Sequence, residues 1–537
     1  MVGTPVLPAR AASYRDEGHW RDRTHLDDLR DAFSQAPDRR VLVDRSQGGR
    51  REMSVADLVD RTERLAAGLS RFVSPGEPVA YLLPNRWEAI ALFYACARIG
   101  AVAVPMPTSL GPTQVTQRLR STGAVLAVTN EAGTTSVLAD VADDLPALRT
   151  RVAIDAAPEG VLDLHRDVAA EPHRAPDEPS PDEIGSDDVA LVLFTSGTTG
   201  TSKAVLHTPN TLHASVRGQM GSLLSGDDAP RVLTPSVATH AIGIMASVLS
   251  PVVHGHDAVL VDDDNASHVL AVCAEEDVTL LMVGPSGYDG LLDRVGDGAT
   301  PPPSLRTIAL GGAPLADAVR RKSDRIPAVL RIHWGMTEVP GGGVSGGDDD
   351  EATSWHTMGH PVPGLERVAD DGADGGGGIA PVHVRGPQVC VGIVDSGDGS
   401  TVWTPADDDG WFATGDLASA DPTGVLAFVD RASDEIKGPS GMIIPTAEVE
   451  ELLAAHPDVG QVVLVAYRPG VQAEAPAAVV VPQDGREPDL DSLTRFLRER
   501  GTTEWYLPQR VEIVQSLPRN PQGKVDKKAL RAQLDKS

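Results

Sequence analysis

Cysteine is nearly missing from this chain. Cys96, Cys273 and Cys390 are odd in number, far apart and form no C-x-x-C pair. That argues against a disulfide framework or a structural zinc site, and it fits a reducing, cytoplasmic setting. Long apolar runs are missing too. The opening stretch, MVGTPVLPARAASYRDEGHW, has no continuous apolar segment and reaches charges early, so no signal peptide is expected. The longest apolar stretch, AIGIMASVLSPVV after His240, is too short and too interrupted to span a bilayer. Basic residues are outnumbered. With 47 Lys and Arg against 76 Asp and Glu, the formal net charge is −29, which argues against nucleic acid or an anionic membrane as partner. No internal repeat is visible, and an ordinary apolar content of 41% argues against a disordered chain.

What is present is length and rhythm. A chain of 537 residues can bury large cores in two or more domains. SVADLVDRTERLAAGLS (54–70) has helical spacing with its charges on one face. PVAYLLP (78–84) reads as a buried strand, and WEAIALFYACARIG (87–100) as a mostly buried helix stopped by Gly100. This alternation predicts an α/β fold with mainly parallel strands. Residues 156–188, rich in Pro, Asp, Glu and Ala, read as an exposed connection. DDGADGGGG (370–378) reads as a hairpin tip in a β-rich region. Beyond about 432, QVVLVAYRP suggests a strand, and AEVEELLAAH and DLDSLTRFLRERG suggest helices, so a small α+β unit is expected there. The expected organisation is a large N-terminal α/β domain with a β-rich subdomain (1–431) and a C-terminal α+β domain (432–537).

The chemistry gathers around LFTSGTTGTSKAV (193–205). Read blandly, its Gly, Ser and Thr residues make a surface turn. Read as chemistry, backbone N–H groups and hydroxyls from Thr195, Ser196, Gly197, Thr198, Thr199 and Gly200 surround oxyanions, and Lys203 adds charge. The P-loop pattern G-x-x-x-x-G-K-[ST] does not fit. Ser202 stands where its second Gly belongs, and Ala204 where its metal-binding hydroxyl belongs.

Further stretches accompany the loop: GGAP (311–314), HWGMTEV (333–339), TGDL (414–417), VDRASDEIKGPSGMIIPTAEVE (429–450) and PRNPQGKV (518–525). In order and spacing, and together with LLPN…GAVAVP (82–105), they resemble the adenylate-forming superfamily. That superfamily comprises acyl- and aryl-CoA ligases, peptide-synthetase adenylation domains and luciferases. One Gly-rich loop is weak evidence, whereas six motifs in one order are strong. The likeness covers nearly the whole chain. It implies a two-domain enzyme with a mobile C-terminal domain, using ATP, Mg²⁺ and a small-molecule acid, with CoA as a possible co-substrate.

Residue by residue, the resemblance assigns the loop Thr195–Lys203 to the ATP phosphates, and Gly312, Ala313 and Pro314 to the nucleotide site. Thr337 and Glu338 resemble the pair near the α-phosphate, with Glu338 as the Mg²⁺ ligand, suited to a hard cation that wants oxygen. Asp416 matches the acid that accepts both ribose hydroxyls, since a carboxylate offers two acceptor oxygens. Arg431 matches a basic residue near ribose or phosphates, and Trp334 the aromatic flank of adenine. Taken alone, Glu338 reads as a surface acid, Asp416 as a turn residue and Trp334 as core; the motifs shift that balance. Lys524 matches the mobile lysine that binds the attacking carboxylate and the α-phosphate. Lys527 and Lys528 follow it closely as ordinary exposed cations.

The acid pocket is expected around His240, Ala241 and Gly243, with His333 beside it. Ala241 stands where amino-acid-activating relatives carry Asp. A buried ammonium without that carboxylate would be costly, so an α-amino acid is disfavoured. Two departures concern the acceptor. Ser433 replaces the usual hinge Asp or Lys, and Lys437-Gly438-Pro439-Ser440-Gly441 replaces a loop in which consecutive glycines admit pantetheine. The reading is an adenylate-forming ligase that passes a non-amino acyl group to a thiol, CoA first. The rivals are a carrier-protein or amine acceptor, nitrite activation for diazotisation of an aryl amine, and a catalytically retired nucleotide-binding protein.

Replacing Lys524 by Ala is expected to lower adenylate formation by roughly 10²-fold or more, the scale of losing a key donor to developing charge, with an unchanged circular-dichroism spectrum. Near-normal pyrophosphate release from that variant would overturn the role.

Overall fold

Short apolar runs build two large sheets. Leu280–Val283 and Thr307–Leu310 are largely buried and pair in parallel, the behaviour of strands covered by structure on both faces. They lie in a nine-stranded sheet ordered His360–Pro361, Val339–Val344, Val329–Met336, Thr307–Leu310, Leu280–Val283, Arg231–Leu233, Asp257–Leu260, Arg40–Asp44, Arg51–Ser54. Pairing turns antiparallel at both ends. A second nine-stranded sheet is ordered Thr401–Trp403, Gly392–Asp395, Lys203–His207, Leu191–Thr195, Val102–Met106, Pro78–Leu82, Leu126–Asn130, Thr150–Ile154, Leu162–Asp163. It is parallel from Leu191–Thr195 to the last strand and antiparallel on the other side. This computed structural model describes residues 5–130, 132–155, 157–171, 178–195, 203–226, 229–235, 238–312, 315, 317–345, 357–369, 379–395, 397, 399–420, 425–431, 436–437, 443–444, 446–467, 474–483, 485–518, 525 and 527–534.

Every residue of the helix Trp87–Arg98 is buried. Its apolar side chains join one core with Tyr81 and Leu191 of the second sheet and Leu42 and Leu280 of the first. The helix ends as the sequence suggests. Gly100 has φ 68°, and a Cβ there would lie 2.3 Å from the carbonyl oxygen of Asp182, so only glycine turns this corner. An antiparallel four-stranded sheet, Glu366–Ala369, Ile379–Arg385, Phe412–Ala420 and Leu426–Arg431, follows as the β-rich part. The 370–378 stretch falls between its first two strands, outside the described residues.

One expectation needs correction. Within 156–188, Leu162–Asp163 is the edge strand of the second sheet, and the helical turn Leu164–Val168 buries Leu164 and Val168 completely. This part is packed, not an exposed connection. Leu and Val four positions apart supply an apolar face that the surrounding Pro, Asp and Glu obscure in the composition. The turn packs on the helix Val55–Leu69 at Gly68, where a Cβ would lie 1.8 Å from the carbonyl oxygen of Val168.

Near the C-terminus, strands Val459–Tyr467, Ala475–Pro482 and Arg510–Ile513 form a three-stranded sheet with helices on both faces. Alternation divides the side chains. Leu464 and Ala466 pack with Leu453, Leu493 and Leu497, whereas Val463 and Val465 pack with Leu530 and Leu534. This unit touches the rest of the chain through 500–505. Thr113 Oγ1 donates to the Arg500 carbonyl at 2.5 Å, and the Gly111 N–H donates to Thr503 Oγ1 at 3.2 Å. A Cβ on Gly111 would lie 1.8 Å from the Gly501 carbonyl oxygen. Among the described residues no helix is long and apolar enough to cross a membrane.

Gly→Ala inside a helix ordinarily stabilises by about 1 kcal/mol. At Gly68 the sign is expected to reverse, because displacing the Val168 backbone costs about 1–3 kcal/mol. The variant Gly68→Ala should therefore unfold at lower urea concentration; an equal or higher midpoint counts against this packing.

Candidate active site

Parallel α/β sheets leave a crevice outside the carboxyl ends of their strands, and the candidate residues gather at such ends. Thr195 ends Leu191–Thr195, Gly311 and Gly312 follow Thr307–Leu310, and Thr337 follows Val329–Met336. Thr195 lies directly opposite Lys203 in the antiparallel hairpin, and Lys203 lies opposite Asp395 on its other side. The hairpin therefore brings the two ends of the phosphate-loop motif to one level. Ser196, Gly197, Thr198, Thr199 and Gly200, at its tip, lie outside the described residues, as do Ala313, Pro314 and Lys524.

Thr337 and Glu338 form the two-residue turn of a hairpin in which Met336 faces Val339. Glu338 is buried. Both carbonyls of the turn are held. His207 Nε2 donates to the Thr337 carbonyl at 2.8 Å, and the Cys390 N–H donates to the Glu338 carbonyl at 2.9 Å. His207 is fully enclosed, and burial lowers its pKa to about 4, so the ring is neutral. A carbonyl only accepts, so Nε2 carries the hydrogen; Nδ1 lies 3.2 Å from Thr211 Oγ1, whose one hydrogen also has the Thr208 carbonyl within reach at 3.1 Å.

Trp334, three residues before Thr337, is buried, and its indole N–H donates to Asp416 Oδ2 at 2.8 Å. The ring lies on Gly342, where a Cβ would come within 2.2 Å of it. Asp416 is buried and faces Arg431 across the antiparallel pair, so the two ribose candidates are cross-strand neighbours. The Arg367 guanidinium sits 5.8 Å from the Trp334 ring centre and donates to the Met358 carbonyl at 3.0 Å and to the Gly359 carbonyl. Burial lowers its pKa to about 10.

On the opposite side of the same strand, His333 is buried against Gly311, whose added Cβ would lie 2.2 Å from the ring. Gln219 Nε2 donates to its Nδ1 at 3.0 Å, and burial lowers its pKa to about 4. His240 immediately precedes the helical residues Ala241–Gly243. Its pKa is also lowered to about 4, first by burial and then by the charge of Arg118. Arg118 lies 4.9 Å from the ring of Phe194, one residue before Thr195, so the His240 segment and the phosphate-loop hairpin share a neighbour. His207, Gln219, Arg118 and Cys390 were not singled out from the sequence. Only His207 left a signal there, as a polar residue ending the apolar run Ala204–Leu206.

The site thus offers a cation, a buried carboxylate on a fixed turn, and a second carboxylate oriented by an indole. Phosphate, a hard metal ion and a diol match these groups. The family model described as AMP-binding enzyme matches residues 29–394, and the AMP-binding enzyme C-terminal domain matches 448–524. The chain belongs to this family, the adenylate-forming enzymes, and is an ATP-dependent, acyl-CoA ligase-like enzyme. Among its relatives is the 3-[(3aS,4S,7aS)-7a-methyl-1,5-dioxo-octahydro-1H-inden-4-yl]propanoyl:CoA ligase of Rhodococcus jostii, 32% identical over 89% of this chain and 93% of that protein. The salicylyl-CoA synthase / salicylate adenylyltransferase of a Streptomyces species is 30% identical over 98% of this chain and 96% of that protein. Among solved structures, the amide bond synthetase McbA from Marinactinospora thermotolerans superposes with a TM-score of 0.80 at 26% identity, over 96% of this chain and all of that one.

Trp334→Phe keeps an aromatic ring and removes the N–H. A hydrogen bond to a charged group is worth about 1.5–3 kcal/mol. The KM for ATP is therefore expected to rise about tenfold or more, with a smaller change in kcat. An unchanged KM would count against an oriented Asp416.

Proposed function

We propose that this enzyme activates a non-amino carboxylic acid, aryl or short acyl, and passes it to the thiol of CoA. A carboxylate oxygen attacks the α-phosphorus of ATP, the bond to the pyrophosphate oxygen breaks, and acyl-AMP forms. The thiol sulfur then bonds to the acyl carbon, AMP leaves, and the thiol proton goes to solvent. The observation that carries this reading is the buried Thr337–Glu338 turn, fixed at both carbonyls beside the strand that begins with Lys203. Lys203 and the loop before it hold the phosphates, Asp416 the ribose, and Lys524 the reacting oxygens. His240, Ala241, Gly243 and His333 line the acid pocket, where Ala241 offers no carboxylate for an ammonium.

Glu338 suits Mg²⁺. It is a hard-oxygen donor, and among the described residues no group of three His, Cys, Asp or Glu could hold a metal ion. That matches a cation shared between one protein carboxylate and substrate phosphates rather than an all-protein cage. When bound, Mg²⁺ spreads the charge of the pyrophosphate leaving group. The C-terminal domain begins after Arg431, with the stretch to Gly441 as hinge and acceptor-facing loop.

CoA is supported by relatives whose names specify CoA ligation of a propanoyl side chain, salicylate and ferulate. A second reading, an amine acceptor, is favoured by Pro439-Ser440 in the acceptor loop and by the likeness to an amide bond synthetase.

The test is pyrophosphate release over aryl acids, short and medium acyl acids and nitrite, each alone, with CoA and with an aryl amine, in Mg²⁺ and in excess EDTA. The expected result is Mg²⁺-dependent release with a carboxylic acid and an acyl-CoA product. An amide product in place of the thioester selects the second reading. Release with nitrite alone, or none with any acid, overturns both.

A further inference from the structure

We propose that His207 is a positioning residue for adenylation: its Nε2–H holds the Thr337 carbonyl and so ties the Thr337–Glu338 turn to the strand that carries Lys203. The proposal rests on the reading of Glu338 as a metal ligand given above.

The strand Lys203–His207 is short and well paired on both sides, by Leu191–Thr195 and by Gly392–Asp395. Side chains two and four apart share a face of a strand, so Lys203, Val205 and His207 lie on one side. The strand therefore carries the phosphate lysine at one end and the turn-holding imidazole at the other. The separation is four residues of extended backbone, roughly 13 Å at strand rise. The turn it holds belongs to the other large sheet. Through His207, two groups that must meet the same nucleotide, one cationic and one a metal-binding carboxylate, are kept at a set distance.

The ring is oriented as well as placed. Nδ1 is packed 3.2 Å from Thr211 Oγ1, and Thr211 lies in the first turn of the helix Pro209–Leu223. That hydroxyl also accepts the Thr208 N–H at 3.1 Å in the helix cap. The cap, the ring and the turn carbonyl form one chain of contacts. The Cys390 N–H holds the next carbonyl of the turn. With both carbonyls fixed, the turn has little rotational freedom, and the direction of the Glu338 side chain is set by the backbone.

His207→Gln and His207→Asn separate the role from mere filling of space. The amide nitrogen of Gln stands as many bonds from Cβ as Nε2 does, whereas that of Asn matches Nδ1. Gln can reach the Thr337 carbonyl and Asn cannot. Mn²⁺ affinity in the presence of a non-hydrolysable ATP analogue is measured by electron paramagnetic resonance on the full chain, alongside the Mg²⁺ dependence of pyrophosphate release. Removing a group that holds a metal ligand typically weakens metal binding roughly 10- to 100-fold. His207→Asn is expected to weaken Mn²⁺ binding by about tenfold or more and to raise the half-saturating Mg²⁺ in step. His207→Gln should stay within about threefold of wild type. Acid KM should move by less than twofold in both. His207→Met serves as a third variant of similar length without a donor, expected to behave as Asn does. Equal Mn²⁺ affinity in wild type and Asn overturns the proposal, as does a Gln variant as impaired as Asn. A wild type that binds the nucleotide without any metal dependence overturns the reading of Glu338 and the proposal together.

Discussion

The two carbonyls of the Thr337–Glu338 turn tie one large sheet to the other. The turn belongs to one sheet, while His207 lies in the other and Cys390 just before that sheet's strand Gly392–Asp395. A buried carbonyl left without a donor costs about 1–3 kcal/mol, so burial of this turn requires both bonds. Around that junction lie the carboxyl ends of Leu191–Thr195, Thr307–Leu310 and Val329–Met336, and with them the groups suited to nucleotide, metal and acid.

An enzyme with a formal charge of −29 must still attract a polyphosphate. Its overall field opposes that ligand, so the attraction has to be local and short-range, where solvent screening is weak. The surrounding histidines do not add charge. His207, His240 and His333 all have pKa values lowered to about 4, burial being the largest cause in each. At neutral pH all three are neutral, so the hydrogen bonds of His207 and His333 hold across the physiological range.

The sequence revealed most about what repeats or is ordered in line. Buried parallel strands announce themselves as continuous apolar runs, and Gly100 announces a helix end by its need for positive φ. The six motifs carry their order along the chain, which is why the family and the mainly parallel α/β architecture were legible. Contacts between distant segments were not. Nothing in the local pattern shows that Trp334 meets Asp416, or that Gln219 meets His333, because each pair is made by packing between separate elements. Leu164 and Val168 were hidden by acidic and proline-rich neighbours, since composition averages over a window while burial is decided residue by residue. Lys524 and the tip of the phosphate loop are read from the motif alone, their places falling outside the described residues.

The seam between 109–114 and 500–505 is held by polar groups. It is made of hydroxyls, carbonyls, the Trp505 indole N–H on Ser109 and two glycines pressed backbone to backbone. In such a seam, water can replace hydrogen bonds of this kind at small cost. Its shape is nonetheless selective, because the 1.8 Å clearance at Gly111 leaves no space for a side chain and hence one seating. The contact is therefore one of shape as much as of area: hydrogen bonds that water can replace, set on a backbone approach that admits a single seating.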